Sequence, residues 1–524
     1  MPINFEMWPP TREDAERRAK YAYYEQIFDG DYLEAFAHKS ADVEPGETYL
    51  GADWGALICK VNADMLFGQP PIVSVGDDQR QLDQILKRCD LFTLLNEAAL
   101  PQGFRGDAVL LLEWDKDKAE PVVSEIPACN YFCLRSRDND RKILEEALAW
   151  EVSVGLDTYL RVDRYKKGQI TRECYLVGNK IGTPWEVEDC GIVSFRKTTP
   201  ADLADAYPDP EDEAPPPDKG TYNLPGGRSP LFFIPNQRHG SRFFGISEFA
   251  GGLPTLIDAF NGRLTEFHEV LSKHSDPKLL LPEGVLDKSG RVRSEELGVI
   301  EIPRDSENGD VFKYLIWDGQ LIPASGELKI LEELIFKFSE TSPAIFGSDK
   351  AGSIESGRAM KFRFQRTLAK IARKVRIWDP ILKELIYLLH WLAAEMKMEL
   401  TFPDGTKETV KAPTRHAELA WQNGLPQDNS EQVDIESKRV QSGLTSRVKA
   451  IQRLDQSSEQ KATDELETIA EENEKYGPPN PPANGANQNG DGQGAAAPAA
   501  AGARRPVGAG KAPQGAGPTE DRAR

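Results

Sequence analysis

The chain has no excess of positive charge, few cysteines, no long apolar run and no complete nucleotide-binding motif. Each absence removes a class of function. Over 524 residues the formal net charge is −20, which argues against a simple nucleic-acid coat, normally a basic protein. It suits an acidic soluble assembly, or a surface that repels nucleic acid. The six cysteines (Cys59, Cys89, Cys129, Cys133, Cys174 and Cys190) are scattered. Only Cys129 and Cys133 are close, and no second pair has matching spacing, so reduced, partly buried thiols are expected rather than a zinc site. Residues 1–10 show neither the basic nor the apolar region of a signal peptide. The most apolar stretch, residues 381–394, is interrupted by Lys383 and Glu384 and is too short to span a bilayer. The expectation is a protein made in a cytoplasm-like compartment, with no membrane partner.

Catalytic patterns come close and fail. Gly347 to Gly352 has the glycine spacing of a phosphate loop, but Ser353 and Ile354 stand where Lys and Ser/Thr are needed. Gly191 to Thr198 has Lys197-Thr198 but Arg196 in place of the second glycine, whose small size lets the backbone wrap a phosphate. Gly245-Ile246-Ser247-Glu248-Phe249 lacks the final glycine of a nucleophile elbow. His268 and His274 are too far apart for a zinc helix. The acidic pairs Asp77-Asp78 and Asp138/Asp140 read as turn caps. No catalytic residue, metal or cofactor is expected.

What the chain does have is a Gly/Ser-rich loop, residues 341–356, that opens into one long amphipathic helix. Its apolar stripe runs through Met360, Phe364, Leu368, Ile371, Val375, Trp378, Leu382, Leu385, Leu389, Leu392 and Met396. Every step is three or four residues, so one helical face is expected to be buried, over roughly 60 Å. Between Arg358 and Arg376 there are eight basic residues and no acidic one. They read as a solvated face, as partners of acidic residues on a neighbouring subunit, or as phosphate contacts.

Upstream, helices are expected at 11–40, 49–67 and 79–100, with a stop at Gly68-Gln69-Pro70-Pro71. Strands are expected at 72–75, 109–114, 122–126, 147–154, 158–165, 170–177 and 230–236. Residues 201–220 are acidic and Pro-rich and read as a surface insertion. A helix at 254–273, strands near 278–281, 298–302 and 311–317, and a return helix at 326–340 lead to the loop. Beyond the long helix come a hairpin around Pro403-Asp404-Gly405, helices over about 430–475, and a Gly/Ala/Pro-rich tail.

In this order the parts resemble the portal proteins of tailed bacteriophages, the siphophage-type branch most. The motifs are Ser356-Gly357-Arg358-Ala359-Met360-Lys361 at the helix entry, and strand 230–236 ending at Asn236. Gly245-x-Ser247-Glu248, Leu256 to Asn261, the Gly68 turn and Gly443-Leu444-Thr445-Ser446 complete the set. The resemblance covers about residues 15–475. It implies an α+β, multidomain portal-type fold with wing, stem helices, small β-rich clip, long kinked helix and helical crown, in a homo-oligomeric ring. Residues 1–250 would be the α+β wing region, 254–275 the first stem helix, 276–325 the clip and 326–340 the second stem helix. Residues 341–356 would be the tunnel loop, 357–429 the long helix and hairpin of the wing, 430–475 the crown, and 477–524 a disordered tail.

The same resemblance implies a channel for DNA at one capsid vertex, used in packaging and ejection, with the motor supplied by a separate ATPase. Ser348, Asp349, Lys350 and Ser353 would meet passing DNA. Lys329, Lys337, Arg358, Lys361, Arg363 and Arg366 would contact DNA or a neighbouring subunit. The implied partners are further copies of the chain, commonly twelve, double-stranded DNA, the terminase large subunit, a head-tail adaptor, and the major capsid and scaffolding proteins. Another phage head or tail structural protein, or a metal-dependent nucleic-acid enzyme, stays open as an alternative.

Overall fold

The computed structural model describes residues 2–5, 7–36, 49–154, 157–177, 193–198, 224–240, 242–274, 278–282, 299–302, 313–315, 321–346, 362–403, 405–422, 429–455, 457 and 459–477. The insertion at 201–220, the heart of the Gly/Ser-rich loop and the tail beyond Gly477 lie outside these residues. The chain divides into two units, Met1–Glu467 and Thr468–Arg524.

Local chemistry sets the ends of the first helices. Helix α1 (Arg12–Asp29) starts where the Thr11 hydroxyl accepts from the Asp14 N–H at 3.1 Å, and stops at Gly30 with φ 84°. Helix α2 (Tyr32–Ala35) is a single turn, and α3 (Trp54–Phe67) is buried on most sides and ends at Gly68. The single helix expected over 79–100 is two: α4 (Gln79–Arg88) and α5 (Leu91–Arg105). They break at Asp90, whose φ of 45° is left-handed and cannot continue a helix. Helix α5 then runs past Pro101 and ends at Gly106, φ 97°.

The expected strands form, with neighbours the periodicity did not reveal. Strands β1 (Met7–Trp8), β5 (Tyr131–Arg135), β6 (Ile143–Val154), β7 (Asp157–Lys166), β8 (Gln169–Val177) and β9 (Val193–Thr198) build a six-stranded antiparallel sheet ordered β1-β9-β8-β7-β6-β5. Strands β3 (Asp107–Asp115), β4 (Glu120–Ile126) and β10 (Leu231–Pro235) form a second sheet, β10-β3-β4. Strand β2 (Ile72–Ser74) pairs with β16 (Glu418–Ala420), a strand that three residues of mixed polarity did not announce. Lys197 and Thr198 end antiparallel β9. A phosphate loop would place them at the start of a helix.

Helix α6 (Leu253–His274) packs on α7 (Leu321–Phe338), with Arg263 Nε 3.1 Å from Glu327 Oε1. The return helix thus starts five residues earlier than expected, within the span assigned to the clip. Between the two helices, β11 (Lys278–Pro282) pairs in parallel with β12 (Val299–Ile302) and antiparallel with β13 (Lys313–Leu315). The long helix, α8, spans Gln365–Glu395 with Pro380 inside it. Its 31 residues span about 46 Å, and residues 362–363 before it are helical as well. The expected entry, Ser356 to Lys361, lies outside the described residues.

Strands β14 (Glu399–Thr401) and β15 (Lys407–Thr409) make the expected hairpin, and α9 (Asn429–Gln441), α10 (Arg447–Leu454) and α11 (Glu459–Tyr476) follow. Gly443 has φ 70°, and the Ser446 hydroxyl accepts from the Lys449 N–H at 3.2 Å, so the Gly443–Ser446 motif is a turn that caps α10. The largest core joins α3, α4, α5, β3, β10, the hairpin and the apolar side of α8, where Trp378, Leu385 and Leu389 are fully buried. A separate core gathers Ile27, Ile58, Phe249, Leu253, Ile257 and Ile335 where α1, α3, α6 and α7 meet.

Candidate functional site

The motifs upstream and the basic run downstream converge on one buried polar cluster at the start of the Gly/Ser-rich loop. It begins with a tight backbone crossing. Asn236 closes β10 and donates its N–H to Gly106 O at 2.8 Å, while Glu248 N–H reaches Gly103 O at 2.9 Å. A Cβ on Gly245 would stand 2.1 Å from Gly106 O, so only glycine admits this approach. Ser247 is consumed by the same crossing. Its hydroxyl donates to Phe104 O and accepts from the Phe249 N–H, which leaves no free nucleophile.

The crossing aims Asn236 and Glu248 at α8. The Asn236 side-chain amide donates to Ile246 O at 2.9 Å and to Glu248 Oε1 at 3.0 Å. Lys370 Nζ lies 2.6 Å from Glu248 Oε2, and Lys374 Nζ lies 2.7 Å from Oε1. Lys374 also donates to Asn236 Oδ1. Glu248, Lys370 and Lys374 have side chains at most 3% exposed. Burial alone would raise the Glu248 carboxyl, but the two ammonium groups outweigh it and hold it at about 2. One carboxylate cannot neutralise two lysines. Burial and the repulsion from Lys370 accordingly lower the Lys374 ammonium, against the pull of Glu248.

The same helix face holds the start of the loop. Lys370 donates to Ser339 O at 2.8 Å, the Thr367 hydroxyl donates to Glu340 O at 3.0 Å, and Ser342 N–H donates back to the Thr367 hydroxyl at 2.9 Å. Helix α7 ends with Thr341 N–H on Phe336 O at 3.1 Å and Glu340 at φ 54°, a C-terminal cap that usually takes glycine. The Glu340 carboxylate explains the exception: it pairs with Arg373 and, at 3.3 Å, with Arg366. Thr341 and Ser342 are buried and residues 343–346 form one 3-10 turn, so the first six residues of the expected flexible loop are fixed.

A second buried acid lies behind the crossing. Asp107 accepts from the Tyr21 hydroxyl and, at 2.7 Å, from the Gly245 N–H. Burial lifts its carboxyl to about 7, and these two hydrogen bonds limit the rise. Among the described residues no group of three or more His, Cys, Asp or Glu gathers as a metal site requires. The described thiols are free, and burial pushes Cys89 and Cys133 up to about 12.

The expected site residues separate accordingly. Ser348, Asp349, Lys350, Ser353, Arg358 and Lys361 lie outside the described residues. Lys329 is exposed, Lys337 pairs with Glu333 at 3.2 Å on the surface, Arg363 is exposed, and Arg366 pairs within its own chain with Glu340. The basic run is not one solvated face: Lys370 and Lys374 are interior ion-pair partners. A signal for this was available. Thr367, Lys370, Lys374 and Trp378 follow helical spacing, and that line is more deeply buried than Leu368 and Val375, while Met396 is exposed.

A helix, a small β-module, a return helix, a loop held at its start and a long helix follow one another in this order. Residues 253–478 match the family model described as phage portal protein, SPP1 Gp6-like. The resemblance read from the motifs therefore holds over that segment, which includes every one of these parts. No curated protein matches the chain. Among solved structures, the chain is similar to one in the neck of a native gene transfer agent particle computed with C12 symmetry, with TM-score 0.36 and 11% identity, covering 76% of this chain and 89% of that one. It is also similar to one in the virion of a native gene transfer agent particle, with TM-score 0.35 and 11% identity, covering 77% and 90%.

Proposed function

We propose that this chain is the subunit of a phage portal ring, a structural conduit for double-stranded DNA at one vertex of a capsid. The carrying observation is the family match over 253–478, a segment that holds the two packed helices, the β-module, the loop and the long helix. On this reading the buried cluster fixes the loop at its base, and residues 347–361 present Lys350 and its neighbours to DNA in the channel. The chemistry of the anchor supports a mechanical role, since its polar groups are spent on one another. Apolar side chains left exposed on the packed helices, Leu271, Ile330 and Phe338, give neighbouring subunits area to bury. The ring docks a packaging ATPase, the terminase large subunit, and a head-tail adaptor, and assembles with the major capsid and scaffolding proteins in the host cytoplasm.

Negative-stain microscopy and native mass measurement of the purified protein test this. The expected result is a closed ring with a central hole, at a multiple of the 58.3 kDa chain mass. A folded species that stays monomeric at micromolar concentration in moderate salt would sink the reading.

A further inference from the structure

A cavity of about 360 Å³ lies between the start of β6, the start of β10, the residues Arg238, His239, Arg242 and Phe243, and α8. Neither the loop anchor nor the portal reading uses it. Its size falls within the range of small-ligand sites. The charges around it do not balance. Arg141, Arg238 and Arg242 line it and are exposed. The two acids of the lining are already engaged. Glu146 is buried and accepts from the Tyr131 hydroxyl at 2.8 Å and from Ser229. Glu384 lies 2.8 Å from Arg228. Among the described residues no carboxylate stands within ion-pair distance of Arg141, Arg238 or Arg242. Partial burial and the neighbouring Arg141 both disfavour the Arg238 guanidinium, against the pull of Asp107, which lies outside the lining.

The aromatic side chains narrow the ligand class. Phe233 is stacked between Tyr131, at 5.2 Å, and Phe243, at 4.9 Å. The Arg135 guanidinium lies 5.3 Å from the Phe243 ring centre. With those ring faces covered, the stacked pair offers no platform for a nucleobase, and recognition falls to the guanidinium groups. Their planar forks match the oxygens of a phosphoryl group. We propose that this cavity is an oxyanion site that takes a phosphoryl group through Arg141, Arg238 and Arg242, without selecting a base. The phosphoryl group belongs either to free phosphate or to a nucleic-acid backbone. The inference does not depend on ring formation.

The test is calorimetric titration of the full-length protein with inorganic phosphate, alongside fluorescence anisotropy with a short labelled duplex. Acetate at matched ionic strength is the control. Phosphate is expected to bind where acetate does not, and Arg141→Gln and Arg238→Gln are each expected to weaken it at least about tenfold, the loss of a charge-assisted hydrogen bond. Binding of the duplex alone, with the same sensitivity to both variants, would assign the site to a DNA backbone and uphold the inference. The arginines are exposed, so both variants should keep the native circular dichroism; if one does not, Arg242→Gln replaces it. Failure of both probes, or binding that all folded arginine variants leave unchanged, would overturn the proposal.

Discussion

Glu248 is the residue on which the most segments depend. It holds two lysines of α8, takes a hydrogen bond from Asn236, and through Lys370 reaches the carbonyl at the end of α7. Removing one partner of a buried ion pair leaves an uncompensated charge and costs about 3–5 kcal/mol. Glu248→Gln strands two ammonium groups and should destabilise by that order in denaturant unfolding. Adding Lys374→Met removes the surplus charge and should recover part of the loss. If the double variant is no more stable than the single, the cluster is not an electrostatic unit. Asp107 gives a prediction in pH. Its folded value, about 7, lies above the ordinary 3.8, so its contribution is present below about pH 4 and is lost as pH rises through 7. The span is worth about 4 kcal/mol at most. Asp107→Asn keeps an acceptor for Gly245 without the titration. The stability difference between variant and wild type should therefore shift in the variant's favour from pH 4 to pH 7. A difference that stays constant over that range would contradict the burial of this carboxyl.

At the scale of elements, what was legible followed from short-range signals. Three strands of the six-stranded sheet, β6, β7 and β8, read from alternation, the stop at Gly68 read from Gly68-Gln69-Pro70-Pro71, and helices α6 and α7 lie close to where they were expected; β1, β5, β9 and the stops at Gly30 and Gly106 did not read. The break at Asp90 did not read, since an aspartate in left-handed conformation leaves no mark in hydropathy. Strand β16 did not either, because three residues become a strand only by pairing with β2, over three hundred residues away in sequence. The anchor was half visible. Asn236 and Gly245-x-Ser247-Glu248 stood out as a passage, yet their partners lie more than a hundred residues downstream in a run that looked like a charged face. Gly245 tests the crossing that joins them. Gly245→Ala would drive a methyl group into the Gly106 carbonyl. It should lower the thermal midpoint by several degrees, whereas Gly262→Ala, with open space around its Cβ position, should leave it unchanged or raise it slightly. Equal effects at the two glycines would show that the crossing relaxes freely.

At the scale of the whole molecule the basic run is smaller than it looks against the acidic balance. Two of the eight basic residues are interior and two more are spent on Glu340, so α8 has less free positive charge than its sequence suggests. On the proposed portal reading, repetition around a ring would multiply the net charge of −20 into a strongly negative body, along which DNA would slide without sticking. On that reading the single lysine in the segment that follows the anchor in sequence, Lys350, is the cation offered to passing phosphates. An exposed lysine contact is weak, so its role would be to guide or brake DNA rather than hold it. Lys350→Ala should leave ring assembly and thermal stability unchanged while altering the amount of DNA packaged or retained by assembled particles. Lys374→Ala should do the reverse, weakening the fold through the anchor before any effect on DNA appears. Normal packaging by Lys350→Ala rings, with packaging lost on Arg363→Ala in rings that still assemble, would move the DNA contact from the loop to the helix entry.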